Sequence, residues 1–424
     1  MAEKIIFKNS LLIDGQGGAP LPDATVVVSD SNIEAVLPEG SGKSAPRGHV
    51  IDLKGKTLMP GLIDAHVHPG NVAYYLHETA ALPPAVYVHR VTKTLETDLN
   101  LGFTTLRDAA GLDRGFRVAV EEGLIRGPRL FLSVTPLTQA DNGEAPSPRN
   151  SLGIRPEACH GPEAVRRAAL RTLGRGADQI KIFADGEVVS QSKTDKGKPG
   201  QPRFSVEELQ AAVEAAAEAG SYVMAHAYSP RAIQNCLKAG VRSIEHGNLL
   251  DAETAEMMVE TGAFFVPTLT IYDLMIKEGA KALDPYTLEK LELVGQKGIA
   301  ALELAYRAGV KIGSGSDIIG PLQHLKGREL AIKGEVMSPM EAIVSATRSN
   351  AELLGVADRL GTIEAGNIAD LIVLDANPLD DLTIFESGLE RVVLVMKDGR
   401  IMKNIIKPAG PQSPHFIGMK GGMK

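Results

Sequence analysis

The sequence predicts an α/β protein: a (β/α)8 TIM barrel with a small β-sandwich domain built from both ends of the chain. Three observations carry this expectation. Through the middle of the chain, short apolar runs alternate with helical stretches, the texture of parallel strands joined by crossovers. At both ends, strand-like runs are separated by Gly, Asp and Pro with no helices between them. Finally, His and Asp stand at the C-terminal ends of several central runs, the face on which such barrels carry their chemistry.

The N-terminal runs are Ile5 to Ile13, Ala24 to Val28, Ile33 to Leu37, Val50 to Leu53 and Thr57 to Met59. The same texture returns in Leu371 to Leu374 and Arg391 to Met396, where Lys397-Asp398-Gly399-Arg400 makes a hairpin turn into Ile401-Met402. The barrel strands are read as Leu62 to His68, Thr104 to Asp108, Leu130 to Val134 and Gln179 to Ala184. They continue with Tyr222 to Ala227, Ser243 to His246, Phe264 to Leu269 and Lys311 to Ser316. The clearest helix is Val206 to Ala219, opened by the capping box Ser205-x-x-Glu208 and stopped at Gly220. The expected domains are residues 1–60 with 364–407 (sandwich), 61–363 (barrel), and a flexible tail, 408–424, rich in Gly, Pro and Lys. Two connections, Thr135 to Gly161 and Asp185 to Arg203, are long for a barrel and follow strands at the active face, so they read as lids or substrate walls, or as solvated excursions.

Composition narrows the function classes. Apolar residues make up 44% and charged residues 23%, values of a soluble globular protein. A net charge of −7 leaves no basic surplus to displace counterions, which argues against a nucleic-acid partner. Cys159 and Cys236 are too few for a disulfide framework and match no zinc spacing. No apolar run reaches the ~18 residues of a spanning helix and no secretory leader pattern opens the chain, so no membrane partner and a cytoplasmic location are expected.

His66 and His68 are two apart at the end of an apolar run, so a strand would point both imidazoles to one side. Two nitrogens held on one face form half of a divalent metal site; the alternative is a strand end with incidental histidines. His226, His246 and Asp317 stand at the ends of other predicted strands, and a barrel would aim them into the same mouth. Lys181 lies inside the apolar strand Gln179-Ile180-Lys181-Ile182-Phe183, where an unpaired ammonium is costly. Either it snorkels to a rim carboxylate, or it is neutral and adds carbon dioxide to become a carbamate, an anion able to bridge two cations.

These residues resemble the amidohydrolase superfamily, in its binuclear branch with a carboxylated lysine. The matching stretches are Gly61-Leu62-Ile63-Asp64-Ala65-His66-Val67-His68, Lys181, His226, His246 and Asp317, with Thr104-Thr105-Leu106-Arg107-Asp108 and Ile244-Glu245-His246-Gly247-Asn248. The resemblance implies two divalent ions, zinc being best suited, with His66, His68 and Asp317 on the buried ion and His226 and His246 on the exposed one. It further implies that carbamylated Lys181 and a hydroxide bridge the pair, with Asp317 moving the proton from the attacking hydroxide to the leaving amine.

Within the superfamily, Ala225-His226-Ala227-Tyr228-Ser229-Pro230, Glu245-His246-Gly247-Asn248-Leu249 and Val266-Pro267-Thr268-Leu269 are similar to the metal-dependent dipeptidase group, with its prolidase-like and ochratoxin-hydrolysing members. This implies hydrolysis of a small-molecule amide: a dipeptide, an N-acyl amino acid or an amide-containing xenobiotic. Tyr228 is then the donor that polarises the substrate carbonyl, and Tyr272 a pocket residue. The chain departs from the group after the third strand, where Leu137 to Glu144 holds no histidine; Asn142 is the donor that stands there, with His160 of the same loop as another entrant. That departure keeps open an amide, carbamate or urea substrate outside normal peptide metabolism; the other alternative, an imidazolonepropionase-like cyclic amide hydrolase, uses one metal and does not require Lys181, which argues against it. The absence of a Glu after His226 disfavours deamination, and the full ligand set disfavours a metal-free scaffold. Family analogy implies a homo-oligomer, up to an octamer.

Overall fold

A computed structural model describes residues 4–39, 46–139, 149–186, 200–277 and 283–406. Asn142, most of the connection 185–203 and the tail 408–424 therefore lie outside the described residues. The chain opens with β1 (Ile5–Leu12), β2 (Leu21–Ser29), β3 (Asn32–Leu37), β4 (His49–Asp52) and β5 (Thr57–Pro60). The central strands are β6 (Leu62–Val67), β7 (Phe103–Asp108), β8 (Arg129–Leu132), β9 (Leu137–Gln139), β10 (Glu157–Cys159), β11 (Ile180–Phe183), β12 (Val223–Ala227), β13 (Ser243–His246), β14 (Phe264–Val266) and β15 (Lys311–Ile312). The chain closes with β16 (Leu371–Leu374), β17 (Val392–Lys397) and β18 (Arg400–Asn404).

Both ends of the chain build one eight-stranded sheet in the order β18-β17-β16-β5-β1-β2-β3, with β4 paired beside β1. The joint is the antiparallel β5–β16 pair, Pro60 opposite Leu371 and Thr57 opposite Leu374. Its core gathers Phe7, Leu12, Val26, Val28 and Leu58 from the N-terminal part with Leu371, Val373, Leu394 and Met396 from the C-terminal part. Such burial contributes roughly 1.5–3 kcal/mol for each large side chain, so neither end has a complete core alone.

The central strands are parallel and form a three-stranded sheet, β6-β7-β8, and a seven-stranded sheet, β10-β9-β11-β12-β13-β14-β15. Single backbone hydrogen bonds connect the two: Ala65 N–H to Ser314 O (2.9 Å), Asp317 N–H to His66 O (2.8 Å) and Asp178 N–H to Leu132 O (2.7 Å). Strand alternation sorts the side chains. Ile180 and Ile182 of β11, and Val223, Ala225 and Ala227 of β12, pack outward against the helices, which leaves Lys181 and His226 on the opposite face. Small residues at Ala168, Ala169, Ala212, Ala215 and Ala216 line the helices in this core, where a thin side chain lets a helix sit close to the sheet.

The helix Val206–Glu218 starts at Ser205 as the sequence predicts. Ser205 Oγ accepts from Glu208 N–H at 3.2 Å and Glu208 Oε2 accepts from Ser205 N–H at 2.8 Å, closing the capping box. Three expectations change. The connection Thr135 to Gly161 holds two short strands, β9 and β10, because Leu137 is buried opposite Ile182 of β11 and extends the parallel sheet. The run Phe264 to Leu269 stops being strand at Val266; Thr268 takes a positive φ of 50° and a helix begins at Leu269. Lys311 to Ser316 pairs as a strand only over Lys311–Ile312. Both cysteines are buried free thiols, and among the described residues no helix is long and apolar enough to cross a membrane.

Candidate metal centre and active site

The strand ends converge. His66 and His68 project from β6 to the same side, and their Nε2 atoms lie 3.4 and 3.3 Å from Asp317 Oδ1. Lys181 Nζ from β11 is 3.2 Å from His66 Nε2. The His246 ring centroid is 5.0 Å from that of His66 and 4.5 Å from that of His226. Tyr228 stands edge-on to His226 at 4.6 Å, and the Tyr272 hydroxyl donates to the Tyr228 hydroxyl at 3.1 Å. Eight side chains named from the sequence are thus contiguous, and all but Asp317 are buried. His160 is not among them: it is exposed, with Nδ1 3.2 Å from Gln139 Oε1.

Backbone conformation aims two of these groups. On β13, Ser243 and Glu245 point inward, so alternation alone would send His246 outward. A positive φ of 74° at His246, and of 53° at Asp317 after β15, turns both side chains over the strand ends. His and Asp tolerate this left-handed region better than most residues, and such strain concentrates at functional sites.

Each histidine spends one ring nitrogen on the protein and keeps the other for the site. His66 Nδ1 lies 2.8 Å from Glu245 Oε2, His68 Nδ1 donates to Ala110 O at 3.0 Å, and His246 Nδ1 lies 2.7 Å from Thr268 Oγ1. His226 is reversed: its Nε2 is 3.4 Å from Gly186 O and 3.5 Å from Asp185 Oδ1, which leaves Nδ1 for the site. Burial first, and the Lys181 ammonium next, hold the His66 and His226 imidazoles well below their ordinary pKa; burial and then His226 do the same for His246. Neutral imidazoles with oriented lone pairs are metal ligands. Ligand atoms of His66, His246 and Asp317 all lie within 4.8 Å of one another. Asp317 Oδ1 faces the Nε2 atoms of His66 and His68, while its Oδ2 lies 3.8 Å from His246 Nδ1, the nitrogen that Thr268 already holds. Four imidazoles, a carboxylate and a buried amine form a mixed nitrogen and oxygen donor set that suits zinc and neighbouring divalent metals.

Asp185 carries no signal that singles it out in the sequence, and Asp64 stands in the matching stretch before His66 without a role that the sequence assigns. Asp185 is fully buried, and its Oδ2 accepts from the backbone N–H of Tyr228 (2.8 Å) and Ser229 (3.1 Å), which fixes the turn that presents Tyr228. Burial pushes this carboxyl up to about 7 against those two hydrogen bonds. Asp64 accepts from His66 N–H, Ser316 N–H and Ser316 Oγ at 3.2, 3.0 and 2.6 Å, clamping the segments that carry His66 and Asp317. Burial raises the Tyr228 and Tyr272 phenols well above their ordinary pKa, so both stay protonated and able to donate.

A parallel α/β domain with His, Lys and Asp gathered on one face matches a class of hydrolases that act on carbon–nitrogen bonds. The chain belongs to the amidohydrolase family, whose sequence pattern matches residues 57–402. It is 32% identical to the ochratoxinase of Aspergillus niger, over 95% of this chain and 87% of that protein. Among solved structures it is similar to a prolidase in complex with N-methylphosphonate-L-proline, at 37% identity and a TM-score of 0.88, covering 95% of this chain and all of the other. It is also similar to a Xaa-Pro dipeptidase with methionine bound in the active site, at 31% identity and a TM-score of 0.83, again over 95% of this chain and 100% of the other.

Proposed function

We propose that this chain is a metal-dependent amidohydrolase that cleaves the amide bond of a dipeptide, an N-acyl amino acid or an amide-bearing xenobiotic. The observation that carries the reading is the convergence of His66, His68, His226, His246 and Asp317 from strand ends, with Lys181 from inside β11, on one point. The relatives that act on peptide-like amides, ochratoxinase and the prolidases, support the bond type. We read the two parallel sheets as one (β/α)8 barrel spanning 61–363, with the bonds of Ala65 and Asp317 to their neighbours as its seam, and the terminal sheet as a sandwich of 1–60 and 364–407.

His66, His68, His226, His246 and Asp317 would hold two divalent ions, and a carbamate on Lys181 would add oxygen ligands to the same set. Such ions, when bound, polarise a carbonyl and bring the pKa of water toward neutrality. The protein's own groups do the rest. Asp317, at 17% side-chain exposure, is the most solvent-accessible of the acidic groups here and is placed to take a proton from water and return it to the leaving amine. The Tyr228 hydroxyl, oriented by Tyr272, donates to the substrate oxygen as charge develops there. Asn142 and the rest of loops 135–161 and 185–203 would form the substrate walls.

The test is a hydrolysis screen over Xaa-Pro and other dipeptides, N-acyl amino acids, aryl amides and carbamates, with metal content measured on the same sample. Amine release that tracks bound metal supports the reading. Carbamate cleavage without amide cleavage would move the substrate class while keeping the chemistry.

A further inference from the structure

We propose that Glu245 and Arg107 form a buried charge relay that sets the tautomer and aim of His66, and so tunes the affinity of the metal centre. The proposal rests on the metal reading above and deepens it. Arg107 on β7 and Glu245 on β13 are both fully buried, an expensive placement unless every polar atom is used. Here each is. Arg107 Nη2 donates to Glu245 Oε1 at 2.9 Å, Nη1 to Ser243 Oγ at 3.0 Å, and Nε to Ala65 O at 2.6 Å. Ser243 Oγ in turn donates to Glu245 Oε1 at 2.6 Å, and Glu245 Oε2 faces His66 Nδ1 at 2.8 Å.

The consequences for His66 are specific. A carboxylate only accepts, so His66 Nδ1 carries the proton and Nε2 presents its lone pair toward Asp317 and Lys181. The same guanidinium grips the carbonyl of Ala65, the residue before His66, so one cation fixes both the ring and the strand that carries it. His68 and His246 use a backbone carbonyl and a threonine hydroxyl in the equivalent place. Behind His66 stands a carboxylate at 2.8 Å that is itself paired to an arginine, whereas the carboxylate behind His226, Asp185, stands farther off at 3.5 Å. A carboxylate raises ligand basicity more than a neutral acceptor does, so His66 becomes a stronger nitrogen donor than His68 or His246. Glu245 and Arg107 are positioning residues: they touch the ligand and not the reacting atoms.

Cobalt(II) titration of the metal-depleted full chain tests this, read by its d–d absorption band and by competition with a chelator. Wild-type protein should bind with a defined band. Glu245→Gln, which keeps the shape and removes the charge, should weaken binding about 10–100-fold and shift the band, with the fold retained by circular dichroism. Unchanged affinity and an unchanged band in folded E245Q would overturn the proposal. If E245Q does not fold, Ser243→Ala decides: weaker cobalt binding supports the relay, and binding equal to wild type overturns it. A wild-type chain that takes up no cobalt would instead overturn the metal reading itself.

Discussion

Lys181 is the residue whose chemistry is most exposed to test. Its Nζ lies 3.2 Å from His66 Nε2 and 5.3 Å from the centroid of the Phe183 ring, in a place where an ordinary surface lysine has no reason to be. Lys181→Ala should lose bound metal and activity together, measured by elemental analysis and amine release on the same preparation; metal retained at wild-type level would remove the bridging role. Asp317→Asn keeps a ligand oxygen but cannot take a proton, so kcat should fall about 10²–10⁴-fold with KM little changed. Tyr228→Phe removes one donor to the developing charge and should lower kcat about 10²–10³-fold; a variant as active as wild type would make Tyr228 a packing residue. The His-x-His pair was legible because strand alternation acts on neighbours. The aim of His246 and Asp317 was not, since it depends on positive φ values of 74° and 53° that residue identity permits but does not announce. Asn142 lies outside the described residues, and its part stays a proposal.

At the scale of elements, the helix Pro84–Asn100 is fastened behind the site by an ion pair. Its Asp98 is 2.8 Å from Lys326, which also lies 3.7 Å from Asp64, and all three are buried. Burial pushes the Asp98 carboxyl up to about 6, against the opposing pull of Lys326. Because the folded pKa lies above the unfolded one, the stability linked to this group is fully present below the unfolded value and is lost as pH rises through about 6. Asp98→Asn removes that dependence. The Tm of wild type relative to D98N should therefore rise as pH is lowered from about 6 toward 4, and a difference flat across that range would contradict the assignment.

Elements with strong local signals were readable: Val206–Glu218 by its capping box, and β12 and β13 by apolar runs that end at His226 and His246. β9 and β10 were not, because three-residue strands owe their pairing to Leu137 meeting Ile182 across the sheet, a contact distant in sequence. The early end of β14 was hidden for a similar reason: Glu329 Oε2, from a later helix, accepts from both Thr270 N–H and Thr270 Oγ1 at 2.8 Å and helps hold the start of the helix there.

Over the whole molecule, the ends of the chain meet in one sheet while the centre supplies parallel strands at whose ends the His and Asp side chains gather. That division was visible as two textures in the sequence, whereas the branching at β1, which takes β4 and then β5 along its length, belongs to tertiary pairing. A centre assembled from several separate strands should couple metal binding to global stability. Metal at 100 times its Kd stabilises the folded state by about 2.7 kcal/mol, so chelation should lower Tm by several degrees and readdition of zinc should restore it. Metal-dependent amide hydrolysis is checked by following amine release from a Xaa-Pro dipeptide and N-acyl amino acid panel with as-isolated, chelated and zinc-restored protein. Hydrolysis of at least one amide, its loss on chelation and its return with zinc are the expected results. Hydrolysis unaffected by complete metal removal, or none on any amide by protein carrying two metals per chain, would contradict that reading.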